Sequence, residues 1–498
     1  MSLFRLPKGL IADLHRLSAR FWWGTGTDKR NLHWGSWRKL CCSKNGGGLG
    51  FRDLTIFNKV LLAKQVWRLI HQPNTLAGKV LKQRYFPDSS VMEVSCGNSS
   101  SFLWKSLMWG REIIEVGARW RIGSGSSVRI YKDRWIPKPS SFMVVSPASL
   151  DPNATVDTLK TQSGAWNERL IRDNFVLDDA KAILSIPCSS SIATDSIFWS
   201  YEKFGSYTVK SGYHLGYSML SSPGSSGLSL SESWWKSLWR IQVPAKVKLF
   251  LWRASHNWIP TNSNLAKRGV LMDSLCLICR RRSESTMHSL WCCPALKAIR
   301  AGCPFMRGIK FLRDFRNANS GGNSSAGGSN IVVPSWRPPD CGTLKINRDA
   351  AVDSMTGKIG IGVIIRDSRG EVLASSAQTI SASLSASTAE ALAVFSCLIF
   401  ARDSGLSPVI IESDAQVVVN LINSGNIPLS DIGLIIHDIN QVLRNFPSCR
   451  VSFVSRLANM AAHSLAKYGL LIASDLFWLE EFPSCVAPAV MGDRPSLL

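Results

Sequence analysis

Acidic residues are scarce over the first two-thirds of this sequence. Residues 1–330 carry 20 Asp and Glu against 46 Lys and Arg, a net charge of +26, whereas residues 331–498 carry 15 acids and 12 bases, a net of −3. The chain as a whole stands at +23 with a pI near 9.7, which favours a polyanionic partner such as nucleic acid. Long hydrophobic runs are missing too. The longest, Ala391 to Ala401, falls well short of the about 20 residues that a membrane-spanning helix needs, and Glu390 and Arg402 close it. The first 23 residues lack an apolar core and a small-residue cleavage site, which argues against a secretory signal. A soluble protein of a reducing intracellular compartment, the nucleus included, is expected. There the 13 cysteines serve as thiols or metal ligands rather than disulfides.

What is present divides the chain. Its 498 residues suggest about two to four domains. The stretch NANSGGNSSAGGSN (317–330) is polar, glycine-rich and aperiodic, as flexible linkers are, and it coincides with the change of charge sign. A weaker break is the Ser/Gly/Pro loop of residues 221–233. Ahead of the linker stand 17 of the 19 tryptophans, many beside bases, as in WWKSLWRIQVPAKVKLFLWR. Each indole is either a core residue or a platform on which a base stacks, and the surrounding charge tips the region toward nucleic acid. Val247, Phe250, Leu251 and Ala254 recur at helical spacing and predict an amphipathic helix.

That helix leads to CLICRRRSESTMHSLWCCPA. Cys276 and Cys279 form a C-x2-C knuckle, followed by His288 and the pair Cys292–Cys293. Two thiolates with this spacing grip one side of a tetrahedral Zn²⁺, and a second pair closes it with no open position, as in a structural site. The order C-x2-C, Glu284, His288, Cys293 resembles the reverse-transcriptase zinc-binding module of plant non-LTR retrotransposons, in register. The resemblance makes Cys276, Cys279, His288 and Cys293 the expected zinc ligands and Cys292 a neighbour. WWKSLWRIQVPAKVKLFLWRASHNWIPTNSNLAKRG and GGLGFRDLTIFNKVLLAKQVWRLI look like the same family, so the likeness covers most of residues 20–300. A complete element of that kind would carry a polymerase with an aromatic-x-Asp-Asp turn. The sole Asp-Asp here, Asp178–Asp179, has Val176 at the aromatic position and opens an apparent helix, where the acids are expected as caps. No polymerase activity is expected, and the chain looks like the part of an element downstream of its polymerase.

Beyond the linker the pattern alternates at period two in LKINRD, KIGIGVIIRD and GEVLASSAQ. A long helical stretch follows in STAEALAVFSCLIFARDSG, then a strand in SPVIIESDA, helical segments, a strand in CRVSFVSR and a helix in ANMAAHSLAKYGL. Three strands, helix, strand, helices, strand, helix is the order of the ribonuclease H fold. Asp349 is expected at the end of the first strand, Glu390 early in the first long helix, and Asp414 at the end of the fourth strand. Carboxylates so placed can converge on two Mg²⁺ ions about 3.5–4 Å apart, one activating water and the other stabilising the leaving oxygen of a phosphodiester. In detail the segment resembles plant ribonuclease H-like domains. Trp336, Pro338 and Pro339 precede strand one, AEALA surrounds Glu390, ESDA surrounds Asp414, and R-x2-N-x2-A-H-x-L-A runs from Arg456. The resemblance implies an endonuclease that cleaves the RNA of RNA–DNA hybrids. His463 stands where such enzymes have a fourth acid, so it would hold a second ion more loosely, act on water or product, or be a polar residue at a helix edge.

The fold class expected is therefore multidomain: a mainly α zinc-binding module plus a C-terminal α/β ribonuclease H-like fold with a mixed five-stranded sheet and flanking helices. The segments are a basic Trp-rich region (1–220), the zinc module (230–310), the linker, the ribonuclease H-like domain (336–470) and a tail (471–498). Arg348 stands out, because it shares a strand face with Leu344 and Ile346 where relatives have a branched hydrophobe. Either it snorkels out to pair with an acid or it distorts the strand beside Asp349. On the second view Arg348→Val should stabilise the domain by about 1–4 kcal/mol. Two other functions stay open: a nucleic-acid-binding remnant without catalysis, and a zinc-organised protein-interaction module.

Overall fold

The computed structural model describes residues 1–24, 32–97, 99–138, 141–188, 194–220, 231–296, 312–313, 335–353, 355–382 and 384–493. The linker expected at 317–330 lies outside them. The chain forms two units, each assembled from two stretches: residues 1–61 with 216–330, and residues 62–215 with 331–498. The span 1–220 is thus shared between both units rather than forming one region.

The first unit is helical and its core is built of indoles. Trp23, Trp235, Trp252 and Trp258 are all buried, and Trp258 meets Trp252 and Trp23 edge to face at 5.2 and 5.8 Å. Trp252 Nε1 donates to the Gly47 carbonyl at 2.8 Å, so burial leaves that indole N–H satisfied. Gly47 has φ +84°, and a Cβ there would lie 2.8 Å from the Trp235 ring, so both backbone and packing call for glycine. Most tryptophans of this unit are therefore core, although Trp234 and Trp291 stay exposed. The helix predicted around Val247 exists, Ala245–Ser255, but Phe250 is exposed and Trp252 is the residue it buries. The indole carries the larger apolar surface, and it wins the inward position.

In the second unit, residues 62–215 pack around Trp104, Trp135 and Trp199, with a two-stranded antiparallel ribbon of Ala118–Arg121 and Ser196–Trp199. Asp179 does not cap its helix. It is fully buried, pairs with Lys138, and accepts from the backbone of Val145 and Ser146, tying down the preceding loop. This half joins the C-terminal half through Arg119–Asp431 (2.5 Å), Arg121 to the Pro428 carbonyl, and Leu429 N to the Phe204 carbonyl.

The C-terminal half comprises β1 (Leu344–Asp353), β2 (Lys358–Arg366), β3 (Val372–Ser381), α1 (Ala386–Asp403), β4 (Val409–Ser413), α2 (Gln416–Ser424), α3 (Ile432–Arg444), β5 (Cys449–Phe453), α4 (Met460–Gly469), β6 (Leu476–Leu479) and a last helix, α5 (Ala487–Asp493). The sheet order is β5-β4-β1-β2-β3-β6, with β1, β4 and β5 parallel and the other pairs antiparallel. It has six strands, not five, because Leu476–Leu479 pairs with β3. Residues beyond 470 are thus part of the sheet rather than a tail. Asp493 is anchored to buried Arg366 at 2.8 Å, and the Arg366 guanidinium lies 3.6 Å over the ring of Trp336.

Small residues let the helices close on this sheet. Ser385 caps α1 by accepting from Thr388 N, and Ala389, Ala391 and Ala393 are fully buried. On the opposite face α4 crosses β2 at Gly360 and Gly362. A Cβ at Gly362 would sit 2.2 Å from the Ala462 carbonyl oxygen, a backbone atom of the helix that carries His463. Gly362→Ala must push α4 off the sheet. The expected cost is about 1–3 kcal/mol, read as a lowered thermal midpoint in calorimetry, whereas Gly492→Ala, in α5 with nothing within 4 Å of a Cβ, should not lower it.

Candidate metal centre and acidic site

In the first unit, Cys276 N donates to the Arg282 carbonyl and Arg280 N to the Cys276 carbonyl, folding the C-x2-C segment into a tight knuckle. His288 opens a single wide turn, His288–Cys292, closed by Cys293 N donating to the His288 carbonyl at 3.0 Å. A bond from residue i+5 to residue i brings His288 and Cys293 to the same side. The ligand atoms of Cys276, Cys279, His288 and Cys293 lie within 4.8 Å of one another. Cys276 Sγ is 4.0 Å from Cys293 Sγ, and Cys279 Sγ is 3.3 Å from His288 Nε2. A tetrahedral zinc with Zn–S bonds of about 2.3 Å would set its sulfurs about 3.8 Å apart, so the four groups fit one ion. Cys292 is exposed and stands outside this cluster. The Arg281 amide, with His288 and Cys276, holds the Cys279 thiol down at about 6, so it is poised as a thiolate. Glu284 is not among the ligands. Its carboxylate accepts from Asn262 N at the start of the helix Asn262–Lys267.

In the second unit the three acids converge. Asp349, Glu390 and Asp414 each place a carboxylate oxygen within 4.8 Å of the others. Asp349 does not end its strand, which runs on to Asp353. It lies just past the last parallel pair, Asn347 with Glu412, where β4 stops and leaves room beside β1. Asp414 follows the last residue of β4, and Glu390 is on the second turn of α1. Burial raises the Asp349 and Glu390 carboxyls above the usual range. The neighbouring Asp414 adds to the shift at Asp349, and Arg348 opposes the shift at Glu390.

Each acid is held by a protein donor. Arg456 donates to His463 Nε2 at 2.9 Å, and since a guanidinium cannot accept, Nε2 must carry the lone pair. His463 Nδ1–H therefore donates to Asp349 Oδ2 at 2.6 Å. Burial and the nearby cations Arg456 and Lys467 lower the His463 pKa, which keeps this tautomer neutral. His463 is thus brought to the site, but with both nitrogens occupied. Asn459 Nδ2 reaches Asp414 Oδ1 at 3.3 Å and the Arg348 carbonyl at 3.0 Å. The R-x2-N-x2-A-H spacing, legible in sequence only as a resemblance, places all three polar groups around the acids.

Arg348 neither snorkels outward nor lacks a partner. It is fully buried, donates to Glu390 Oε2 at 2.7 Å and to Ser413 Oγ at 2.8 Å, and β1 stays paired with β2 across it. The expected distortion is absent because one of the three acids is itself the counter-ion. Sequence reasoning offered pairing with an acid as one alternative but placed it at the surface, did not name Glu390, and missed the roles of Asn459 and Ser413. The one available signal was that a central-strand arginine needs a partner.

Four side chains that could hold one metal ion and a mixed sheet bearing three converging acids are the two candidate sites. The family of zinc-binding modules in reverse transcriptase matches residues 207–299, and the reverse transcriptase-like family matches residues 347–469. An uncharacterized mitochondrial protein of Arabidopsis thaliana is 49% identical over 137 residues, 27% of this chain and 89% of that protein. An Arabidopsis thaliana protein named for ribonuclease H is 25% identical over an alignment covering 99% of this chain and 90% of its own. Among solved structures, RNase H1 from Halobacterium salinarum matches 26% of this chain and 97% of its own at 23% identity, with a TM-score of 0.24. The chain belongs to the plant retrotransposon-derived proteins that carry a reverse-transcriptase zinc-binding module and a ribonuclease H-like domain.

The buried pair reverses the expectation for Arg348→Val. Removing the guanidinium leaves Glu390 and Ser413 without their donor in the core. The variant should lose about 3–5 kcal/mol of stability in chemical denaturation of the full chain, rather than gain any.

Proposed function

We propose that the C-terminal half is a ribonuclease H that hydrolyses the RNA strand of RNA–DNA hybrids with divalent metal, Mg²⁺ by preference. The observation that carries this reading is the convergence of Asp349, Glu390 and Asp414 at the point where β4 ends and β1 continues. Three carboxylates there make a hard, oxygen-only donor set, which suits Mg²⁺ and not a soft ion. Bound to them, the cation supplies the Lewis-acid chemistry that phosphodiester hydrolysis uses in place of a protein nucleophile. The chain's own residues hold the set in place: His463 orients Asp349, Asn459 orients Asp414, and Arg348 orients Glu390. None of the three offers a free base to the substrate, so they act by positioning.

The Arg348–Glu390 pair favours a second reading, in which the domain binds nucleic acid without cleaving it. Cleavage of a labelled RNA–DNA hybrid by the full chain separates the two. Mg²⁺-dependent cleavage that Asp349→Asn abolishes is the expected result. Hybrid binding with no cleavage at any Mg²⁺ concentration would establish the second reading. In either case the +26 of residues 1–330 supplies backbone affinity, which should fall steeply as salt rises.

Cys276, Cys279, His288 and Cys293 are assigned to one structural Zn²⁺, on the strength of their closed four-ligand geometry. Metal analysis of the purified full chain should find close to one zinc per molecule. The Cys276→Ser/Cys279→Ser double variant should lose it, and Cys292→Ser should retain it.

A further inference from the structure

We propose that Arg348 is a fixed internal cation that limits the acidic cluster to a single divalent ion and weakens the hold on that ion. This role rests on the three acids being metal ligands. Few of their oxygens are free. Glu390 Oε2 accepts from Arg348, Asp349 Oδ2 from His463, and Asp414 Oδ1 from Asn459. Each carboxylate keeps one oxygen that takes none of these bonds, and three such oxygens make one facial set for a six-coordinate ion whose other positions are water. A second ion about 3.5–4 Å away would need donors of its own. His463, which touches Asp349, has both nitrogens engaged.

Charge gives the same count. Three carboxylates and one guanidinium sum to −2, which one divalent ion neutralises. The guanidinium cannot withdraw when a metal arrives. Its side chain is wholly enclosed, it springs from the middle of the central strand, and its second amino group is held by Ser413, itself fully buried. An arginine at the surface would swing out and leave Glu390 to the metal. Here the cation stays within hydrogen-bonding distance of a metal ligand, where its repulsion is little screened.

The test is a Mn²⁺ titration of the zinc-loaded full chain, followed by electron paramagnetic resonance. Mn²⁺ takes oxygen ligands and, lowest in the divalent affinity order, leaves the thiolate site to zinc. The Asp349→Asn/Asp414→Asn double variant serves as the blank for ions bound elsewhere. The difference should be one Mn²⁺ per chain. Arg348→Gln keeps a donor for Glu390 and Ser413 but removes the charge, and it should bind tighter by about tenfold or more, or take up a second ion. Two ions in the native chain, or unchanged affinity in Arg348→Gln, would overturn the role of Arg348 and leave the metal-site reading intact. No difference between the native chain and the blank would sink the metal-site reading itself. If Arg348→Gln does not fold, the native count of one or two still decides.

Discussion

The ion pair between Arg348 and Glu390 is the constraint on which the acidic end of the C-terminal half rests. Arg348 sits on a strand covered by helices on both sides, where an unpaired guanidinium would cost several kcal/mol. It is tolerated because α1 presents a carboxylate to it and Ser413 takes a second N–H. In return the guanidinium opposes the rise that burial imposes on the Asp349 and Glu390 carboxyls. Asn459 adds a tie to the Arg348 carbonyl, so strand, helix and acids are held as one piece.

The same strand carries a second buried network on its other face. Asn347 is fully enclosed, donates to Glu412 and Asn459, and accepts from Trp336 Nε1 and Arg366. Arg366 in turn binds Asp493. The segment before β1 and the helix after β6 are thereby fastened to the centre of the sheet by hydrogen bonds whose loss would strand polar groups in the core. Placement of the acids is thus coupled to residues far along the chain at both ends of this half.

The first unit solves a different problem with related means. Its core is made of indoles: Trp252 Nε1 donates to the Gly47 carbonyl, whereas the buried Nε1 groups of Trp22, Trp23 and Trp37 have no acceptor among the described residues. The four-ligand centre lies on a segment with little apolar burial of its own: Leu277, Ile278, Met287 and Trp291 are all exposed. Metal coordination would supply the cross-links that packing there does not.

Much of this was legible in the residues. C-x2-C with His288 and the pair Cys292–Cys293 marked one candidate centre by type and spacing, and the family resemblance singled out Cys293. The strand and helix order beyond the linker marked the ribonuclease H-like sheet, because periodicity is local information. The positions of Asp349, Glu390 and Asp414 followed from that order. What lay beyond reach was pairing across long separations. That the stretch after residue 470 adds a sixth strand depends on an exposed β3 edge, and nothing in Leu476–Leu479 announces a partner. That Phe250 faces outward and Trp252 inward depends on which neighbour offers a pocket. Arg348 shows the division most sharply. By itself the sequence determined that a charged residue would stand on a buried strand next to Asp349, since the alternation of the strand is set by its own side chains. Whether that charge was a defect or a partner was decided only when α1, 42 residues on, brought Glu390 to within 2.7 Å. The energy of a buried charge belongs to its surroundings, and the surroundings exist only in the folded chain.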